Sequence, residues 1–517
     1  MKTRSNRLNN GYVGGNFLDN SQYGILPVNK QATFNEWTRP TDWLSLPSMV
    51  EGDSKIAGLV AVYPGDTGST GITASSNFVA FTVFGNYTVD WGDGTTAAYS
   101  SGETASKQYL WEGASADTLT FYGFRQRVFQ ITPQAGAGLT SANFVAYYPG
   151  VTLQTAYSSA ILDLKISGAS LSIINPPKGM FRFEYIGNSS ITTVNIMFNG
   201  CRNLCNVIGT SWTKNCNTFT GMFIACPSLQ TVPLFNTALG NVFTQMFNGC
   251  RSLQTVPLFN TALGTAFNSM FTNCSSLQTV PLFNTALGTN FASMFTSCSS
   301  LQSVPLFNTA LGTNFSSMFT NCVSLRTVPL FNTALGTNVS SMFNNCVSLR
   351  TVPLFNTVQV SGSGFASMFS ACTSLQTVPL FNTALGTYFG SMFTNCSSLQ
   401  TVPLFNTASA TDLNQMFPNC NSLQTVPLFN VASATNFGSM FINCTSLKSA
   451  ALDARTNLNG RSISYLNCAL SAAELNRIFT YLGPGIVNIS TITITGNWGA
   501  NTCDRSIAAA KNWIVAE

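Results

Sequence analysis

Cysteine is the residue type with the most evident chemistry in this chain, because twelve of its fifteen cysteines recur at one position of a tandem repeat. Neighbouring repeat cysteines are 24 residues apart, except for one spacing of 25 and one of 26. A row of thiols can form disulfides, ligate metal ions or pack as small apolar groups. We predict a buried ladder of free thiols, because aligned side chains on successive coils rarely meet disulfide geometry. The repeat cysteines are Cys201, Cys226, Cys250, Cys274, Cys298, Cys322, Cys346, Cys372, Cys396, Cys420, Cys444 and Cys468.

Three further cysteines, Cys205, Cys216 and Cys503, lie off this row, and the sequence leaves their pairing open.

Few other residues offer catalytic chemistry, because the 517-residue chain has no histidine and only 8% of its residues are charged. The commonest general base and the commonest metal ligand are therefore missing. We expect no enzymatic activity, no metal and no cofactor. Between Cys226 and Cys444 the charged residues are Arg251, Arg326, Arg350 and Asp412.

Net charge and hydropathy restrict the kinds of partner that this chain is expected to bind. The net charge is +5, but the basic residues form no stripe interleaved with aromatic residues, so nucleic-acid binding is not expected. No run of about 18 apolar residues predicts a membrane span. The first ten residues lack the apolar run of a signal peptide, so we expect synthesis in a cytoplasm without secretion.

The repeat unit predicts a solenoid, in which each coil buries its apolar side chains against its neighbours. In the unit that starts at Cys274 the sequence is CSSLQTVPLFNTALGTNFASMFTS. Alternation predicts that Leu277, Val280 and Leu282 point inward from a strand of a parallel sheet. Further along the unit, apolar residues at spacings of three and four predict one helical or 3₁₀ turn packed on that sheet. That turn carries Phe291, Met294 and Phe295.

The composition divides the chain into four regions. Residues 1–48 form an extended arm rich in Asn and Gly, and residues 49–155 carry a β pattern without cysteine. Residues 156–468 form the solenoid, which enters through degenerate coils and becomes regular from about 197. Residues 469–517 form a cap.

Strands and turns of the flanking regions follow from local patterns. Period-2 alternation predicts strands over 78–84 and 87–91, joined to the next strand through the tight turn Gly92–Thr95. Asp90 and Asp93 in this hairpin fit plain turn chemistry better than a calcium site. A capping box at Ser471–Glu474 predicts a helix to Tyr481. Further predicted strands cover 118–122, 128–131, 144–148, 160–166, 171–174, 191–196 and 489–495, and a last helix covers 506–515.

Two motifs resemble known families. Met-Phe-x-x-Cys-x-x-Leu recurs once per coil over about 195–470 and resembles the BspA-like leucine-rich-repeat surface proteins. The run Tyr-Thr-Val-Asp-Trp-Gly-Asp-Gly-Thr at 87–95 resembles the PKD-type immunoglobulin-like domain. Together they imply a mainly β fold with short helices: a PKD-like β-sandwich, then a leucine-rich-repeat solenoid with a parallel sheet, then a small α/β cap.

The BspA-like family includes bacterial adhesins and bacteriophage virion proteins. Residues 39–47 and 470–513 are similar to structural proteins of tailed phages, which favours the phage branch. The resemblance implies a virion structural protein, such as a tail fibre or a surface fibre or decoration protein, made in the host cytoplasm. The alternatives are a bacterial cell-surface adhesin and a purely architectural virion protein without receptor contact.

We expect the arm and the β-domain to contact other virion proteins, and the protein to form a homo-oligomer in the particle. The solenoid would bind a host surface glycan or an outer-membrane protein, since rows of amides and hydroxyls suit hydroxyl-rich ligands. An equal alternative is that these rows only keep the sheet soluble. We name them the amide–hydroxyl face: Gln254, Gln278, Gln302, Arg326, Arg350, Gln376 and Gln400, beside Thr255, Thr279, Ser303, Thr327, Thr351, Thr377 and Thr401.

Overall fold

A computed structural model describes residues 37–64, 77–145, 160–453, 462–486 and 489–517. The chain divides into two compact units, Met1–Leu263 and Gly264–Glu517. Most of the predicted arm, residues 1–36, lies outside the described residues, as does the end of the strand predicted over 144–148.

In the part of the first unit that the structure describes, eleven strands form two sheets. The strands are β1 (Lys55–Val62), β2 (Phe78–Phe84), β3 (Tyr87–Asp90), β4 (Thr96–Tyr99), β5 (Thr104–Gln108), β6 (Arg125–Pro133), β7 (Ser141–Asn143), β8 (Ile161–Ser167), β9 (Ile173–Asn175), β10 (Arg182–Ile186) and β11 (Asn206–Ile208). Seven form one sheet in the order β11-β10-β8-β1-β6-β3-β4, and four form a second sheet in the order β5-β2-β7-β9.

The two sheets face each other across an aromatic core. Phe81 on β2 lies 5.2 Å, centroid to centroid, from Phe129 on β6. It also lies 5.6 Å from Trp91, which follows β3, and 5.4 Å from Phe144. Trp91 of the hairpin motif is thus a core residue, whereas the tight turn Gly92–Thr95 that follows it lies at the surface.

Strand β8 joins the sandwich to the first coils. It pairs antiparallel with β1 and parallel with β10, so the sheet changes from antiparallel to parallel pairing at this strand. Asp163 on β8 is fully buried and pairs with Arg39 at 2.7 Å and with Arg182 at 3.1 Å. Trp43, from the end of the predicted arm, is buried beside these groups.

The sequence predictions for this unit have mixed outcomes. Strands predicted over 78–84, 87–91, 128–131 and 160–166 are confirmed. The strand over 118–122 is wrong: a 3₁₀ turn covers Ala116–Thr118, and Thr120 then closes a turn onto Phe124. The strand over 191–196 is also wrong, because Ile196 adopts φ of 51° and closes a turn instead. Over 171–174, only Ile173 and Ile174 belong to a strand, β9.

Regular coils dominate the second unit, and the predicted solenoid is confirmed. In each coil, N–H groups of alternate residues donate to carbonyl oxygens of the next coil; from Phe291 to Ser297 the N···O distances are 2.7–3.0 Å. Parallel pairing is present as isolated bridges such as Asn290 with Asn314, and no continuous strand forms in the described residues 264–428. The predicted helical turn is wrong, because Ser293 and Ser297 adopt φ of 56° and 62° and split it into separate turns.

Columns of like side chains fill the coils of this unit. The ring of Phe295 stacks 5.6 Å from Phe271 and 5.6 Å from Phe319, at interplanar angles of 4° and 7°. Buried Thr333 donates its hydroxyl to the carbonyl oxygen of Asn356 in the next coil at 2.6 Å. Because each polar group of the interior has a partner one coil away, the repeat satisfies its own buried hydrogen-bonding groups.

The end of the second unit is a small α/β cap. Helix α1 (Ala472–Tyr481) begins at the N-cap Ser471, whose side chain accepts from the N–H of Glu474 at 3.2 Å, so the predicted helix and its N-cap are confirmed. The carboxylate of Glu474 does not close the box: it accepts from the N–H of Ala450 at 3.0 Å and pairs with Arg477. The remaining elements are β12 (Phe429–Asn430), β13 (Leu452–Asp453), β14 (Ile463–Ser464), β15 (Thr491–Thr493), α2 (Ser506–Ala509) and β16 (Ile514–Ala516). Helix α2 is shorter than predicted, and the chain turns back as strand β16 after it.

Candidate binding surface

The repeat cysteines lie inside the coils as free thiols. Most of these thiols donate to the carbonyl oxygen of a phenylalanine in the preceding coil, as Cys322 does to that of Phe295 at 3.0 Å, whereas Cys201 donates to that of Pro177. Burial raises the pKa of Cys322 and Cys372 to about 12. Burial, with a smaller effect of neighbouring thiols, also holds the pKa of Cys346 well above its usual value. These thiols are therefore protonated at neutral pH, and the protonated thiol is a poor nucleophile.

The three cysteines outside the ladder are also free. Cys205 packs in the cluster around Trp43, and Cys216 is fully buried, while Cys503 is half-buried in the cap. Among the described residues, no group of three or more Cys, Asp or Glu side chains is placed to hold a metal ion.

The hairpin carboxylates have turn partners. Asp90 accepts from the N–H of Gly92 at 2.9 Å, and Asp93 accepts from the N–H of Thr95 at 3.0 Å and pairs with Lys107 at 2.7 Å. Partial burial acts to raise the pKa of Asp93, but the hydrogen bonds from Lys107 and Thr95 outweigh it and lower the pKa. The carboxylates therefore stabilise the turn, which is the chemistry preferred for them from the sequence.

The structure places the amide–hydroxyl face at the surface. In the second unit every Gln, Arg, Thr and Ser of that face is exposed, while in the first unit Thr255 is exposed and Gln254 is half-buried. Backbone bonds tie the row together, for example Arg326 N–H to the carbonyl oxygen of Gln302 at 3.1 Å and Gln400 N–H to that of Gln376 at 3.1 Å. The side-chain amides of these glutamines form no hydrogen bonds to other described residues, so they are available to bind a ligand.

The sequence reasoning missed a second exposed set of side chains. Leu282, predicted to point inward, is 59% exposed, and the next residue, Phe283, is buried instead. The prediction is wrong because the segment does not keep strand alternation: Val280 and Phe283 point inward at a spacing of three. The signal that identifies the exposed residue is the adjacent Phe, which forms one of the stacked columns.

The equivalents of Leu282 in the other coils are also exposed, and several coils carry a second exposed leucine five residues further along; we call these two rows together the leucine face. The outer row is 57–59% exposed and the inner row 42–52% exposed. Within the second unit, the outer row is Leu282, Leu306, Leu330, Leu354, Leu380 and Leu404, and the inner row is Leu287, Leu311, Leu335 and Leu385.

The outer end of the described N-terminal segment lies against the first coils. The backbone N–H of Trp37 donates to the side-chain oxygen of Gln230 at 2.7 Å. Gln230 stands at the repeat position of Gln254, one coil earlier. In this unit, therefore, an amide of that repeat position already binds an extended peptide segment.

The repeat region matches a known protein family. A family model described as "Mycoplasma protein of unknown function, DUF285" matches residues 183–280, 241–354 and 337–455, which together cover just over half of the chain. No curated protein matches the chain significantly. No helix among the described residues is long and apolar enough to cross a membrane.

Solved structures of leucine-rich-repeat proteins align at low similarity. A leucine-rich repeat protein from Eubacterium ventriosum is 14% identical over 59% of this chain and 90% of its own length, with a TM-score of 0.33. Toll in its complex with Spatzle from Drosophila is 13% identical over 65% of this chain and 54% of its own, with a TM-score of 0.23.

Proposed function

We propose that the chain, which belongs to the family described as "Mycoplasma protein of unknown function, DUF285", is a bacteriophage virion structural protein. Its solenoid would present the amide–hydroxyl face for binding to a host surface. The arm and a PKD-like β-domain would contact other virion proteins, in a tail fibre or in a surface fibre or decoration. The phage assignment rests on the sequence resemblance of residues 39–47 and 470–513.

The observation that carries the binding role is the amide–hydroxyl face itself. Its glutamine side chains recur at one position of each coil, are exposed, and have no partner within the described residues. A row of such groups matches a ligand that also repeats, such as a surface polysaccharide, since each coil offers the same donors and acceptors. A host outer-membrane protein is the other target that this surface suits.

Two properties support a binding protein over an enzyme. The described coils contain no carboxylate pair, and their thiols are protonated and sealed in the interior. Free buried thiols also fit a protein that folds in a reducing host cytoplasm and reaches the outside only on lysis.

A bacterial cell-surface protein is the second candidate, and the family description favours it because it names a bacterial genus. A third candidate is an architectural virion protein that contacts no receptor. The three differ in where the chain is found and in whether its surface is needed for attachment.

Mass spectrometry of purified particles and of uninfected host envelopes separates the first two candidates. We expect the chain in particles and not in envelopes; the reverse result would make it a bacterial surface protein.

An adsorption assay separates the receptor-binding virion protein from the purely architectural one. Purified full-length chain should compete with particles for host cells.

The triple variant Gln302→Ala, Gln376→Ala, Gln400→Ala should compete at least about tenfold less well, since it removes three contacts of the ligand. A matched control changes half-buried residues on another row of similar coils: Ala310→Ser, Ala334→Ser, Ala384→Ser. Failure of wild-type chain to compete would refute the receptor role.

A further inference from the structure

The leucine face of the second unit exposes more apolar area than the largest apolar patch of a typical monomer. A leucine side chain exposed by about half presents roughly 80 Å² of apolar area, so the ten leucines together present about 800 Å². The largest apolar patch of a typical monomer is about 300–600 Å². About 800 Å² per partner is also the area of a standard protein–protein interface.

More than half of each outer-row leucine lies outside the packed interior of its coil. The interior at this position is filled by the following phenylalanine: Phe307 is buried and stacks 6.5 Å from Phe283 and 6.5 Å from Phe331. A polar residue at the leucine position would keep this column intact. The same repeat does place polar residues at its other outward positions, such as Thr279 and Asn284.

The leucine rows have a period that restricts their partner. The outer row repeats once per coil, and successive coils are joined by backbone hydrogen bonds, with N···O distances of 2.7–3.0 Å from Phe291 to Ser297. A surface whose projecting side chains repeat with the same period can contact every leucine of the row, and a second copy of this chain carries such a surface.

Charge allows this pairing. Between 264 and 411 the charged residues are Arg326 and Arg350, and both belong to the amide–hydroxyl face. The leucine rows themselves contain no charged residue, so covering one row with another buries no charge of the rows. The serines that replace the inner-row leucine at Ser409 and Ser433 end the patch toward the cap.

We infer that the leucine face is the contact through which two copies of this chain associate. The inference is independent of the proposed function, because it requires neither a particle nor a host and is tested on purified protein.

Sedimentation velocity of the full-length chain over a wide range of concentrations tests this inference. The wild-type chain should associate, with a concentration-dependent sedimentation coefficient. The variant Leu306→Gln, Leu330→Gln, Leu354→Gln should raise the dissociation constant about a hundredfold or more, while circular dichroism stays unchanged. The matched control is the triple glutamine-to-alanine variant of the amide–hydroxyl face, which should associate like wild type.

A wild-type chain that stays monomeric at the highest concentration would overturn the inference and leave the face to another partner. Equal association of the leucine variant and wild type would overturn it as well. If the triple variant does not fold, the single substitution Leu330→Gln replaces it, with an expected increase of about tenfold in the dissociation constant.

Discussion

Substituting Ala371→Asn should stabilise the second unit. Ala371 adopts φ of 59°, in the left-handed region, at a position where other coils carry asparagine. Those asparagines form a ladder along the coils: Asn345 donates to the side-chain oxygen of Asn321 at 3.0 Å, and Asn419 donates to that of Asn395 at 2.7 Å. Ala371 interrupts this ladder between Asn345 and Asn395.

The gain follows from two contributions. A residue with a Cβ costs about 1–2 kcal/mol in the left-handed region, and asparagine recovers part of this because its side chain tolerates that conformation. The new amide can also donate to the oxygen of Asn345 and accept from Asn395. Each such bond contributes about 0.5 kcal/mol at a half-exposed site. The sum is about 1–2 kcal/mol, which raises the melting temperature by about 2–6 °C.

Differential scanning calorimetry of wild type, Ala371→Asn and the control Ala371→Gly measures this gain. Glycine relieves the Cβ strain but increases the entropy of the unfolded chain, so we expect a change within about 0.5 kcal/mol. A melting temperature of Ala371→Asn no higher than that of Ala371→Gly would refute the ladder as the source of stability. A value below that of wild type would also refute the strain argument.

Three further predictions concern the buried charged and thiol groups. Because burial raises the thiol pKa of Cys322 and Cys372 to about 12, while an unfolded thiol ionises near pH 8.5, stability should be full below about pH 8.5 and lost as the pH rises toward 12. The loss should approach about 1.4 kcal/mol per pH unit for each thiol, and thermal melting between about pH 7 and pH 10 measures it; a flat profile would contradict the burial argument. Native protein should react with Ellman's reagent at no more than the half-buried Cys503, and denaturation should expose all fifteen thiols; rapid modification of the ladder would contradict its sealing. Asp163→Asn should cost about 3 kcal/mol in urea denaturation, because Arg39 then loses its buried carboxylate partner and Arg182 retains only Glu184; a loss below about 1 kcal/mol would contradict it.

Much of the fold follows from the repeat period and from local caps. A fixed spacing of 24 residues predicts a solenoid, and this prediction does not depend on the conformation within each coil. The N-cap at Ser471 and the alternation over 78–84 depend on near neighbours in the chain, so they are visible without tertiary information. Burial of Phe291, Met294 and Phe295 is also correct, since large apolar residues at one position of every coil can pack on their equivalents.

The conformation inside each coil was less predictable. Spacings of three and four indicate a helical turn only if every residue between has negative φ, and hydropathy does not report φ. Ser293 and Ser297 adopt left-handed φ, which turns their N–H groups toward the next coil instead of along a helix axis. The same limitation explains Leu282. Period-2 alternation assumes a strand, and the segment is not one, so the direction of its side chains cannot be read from alternation.

Because the coils are nearly identical, the register of the coils must be specified outside the regular repeats. Two coils with the same sequence accept each other's hydrogen bonds equally well, so side chains inside the regular coils do little to prevent a shift of register by one whole repeat. In the second unit the cap provides this selection. Tyr465 stacks 5.2 Å from Phe441, and the backbone N–H of Tyr465 donates to the carbonyl oxygen of Thr493 at 2.9 Å, a pairing that no other coil offers. The cap therefore fixes the last coil, and connectivity then fixes each preceding one, which leaves the outward positions free to repeat one side chain along a row.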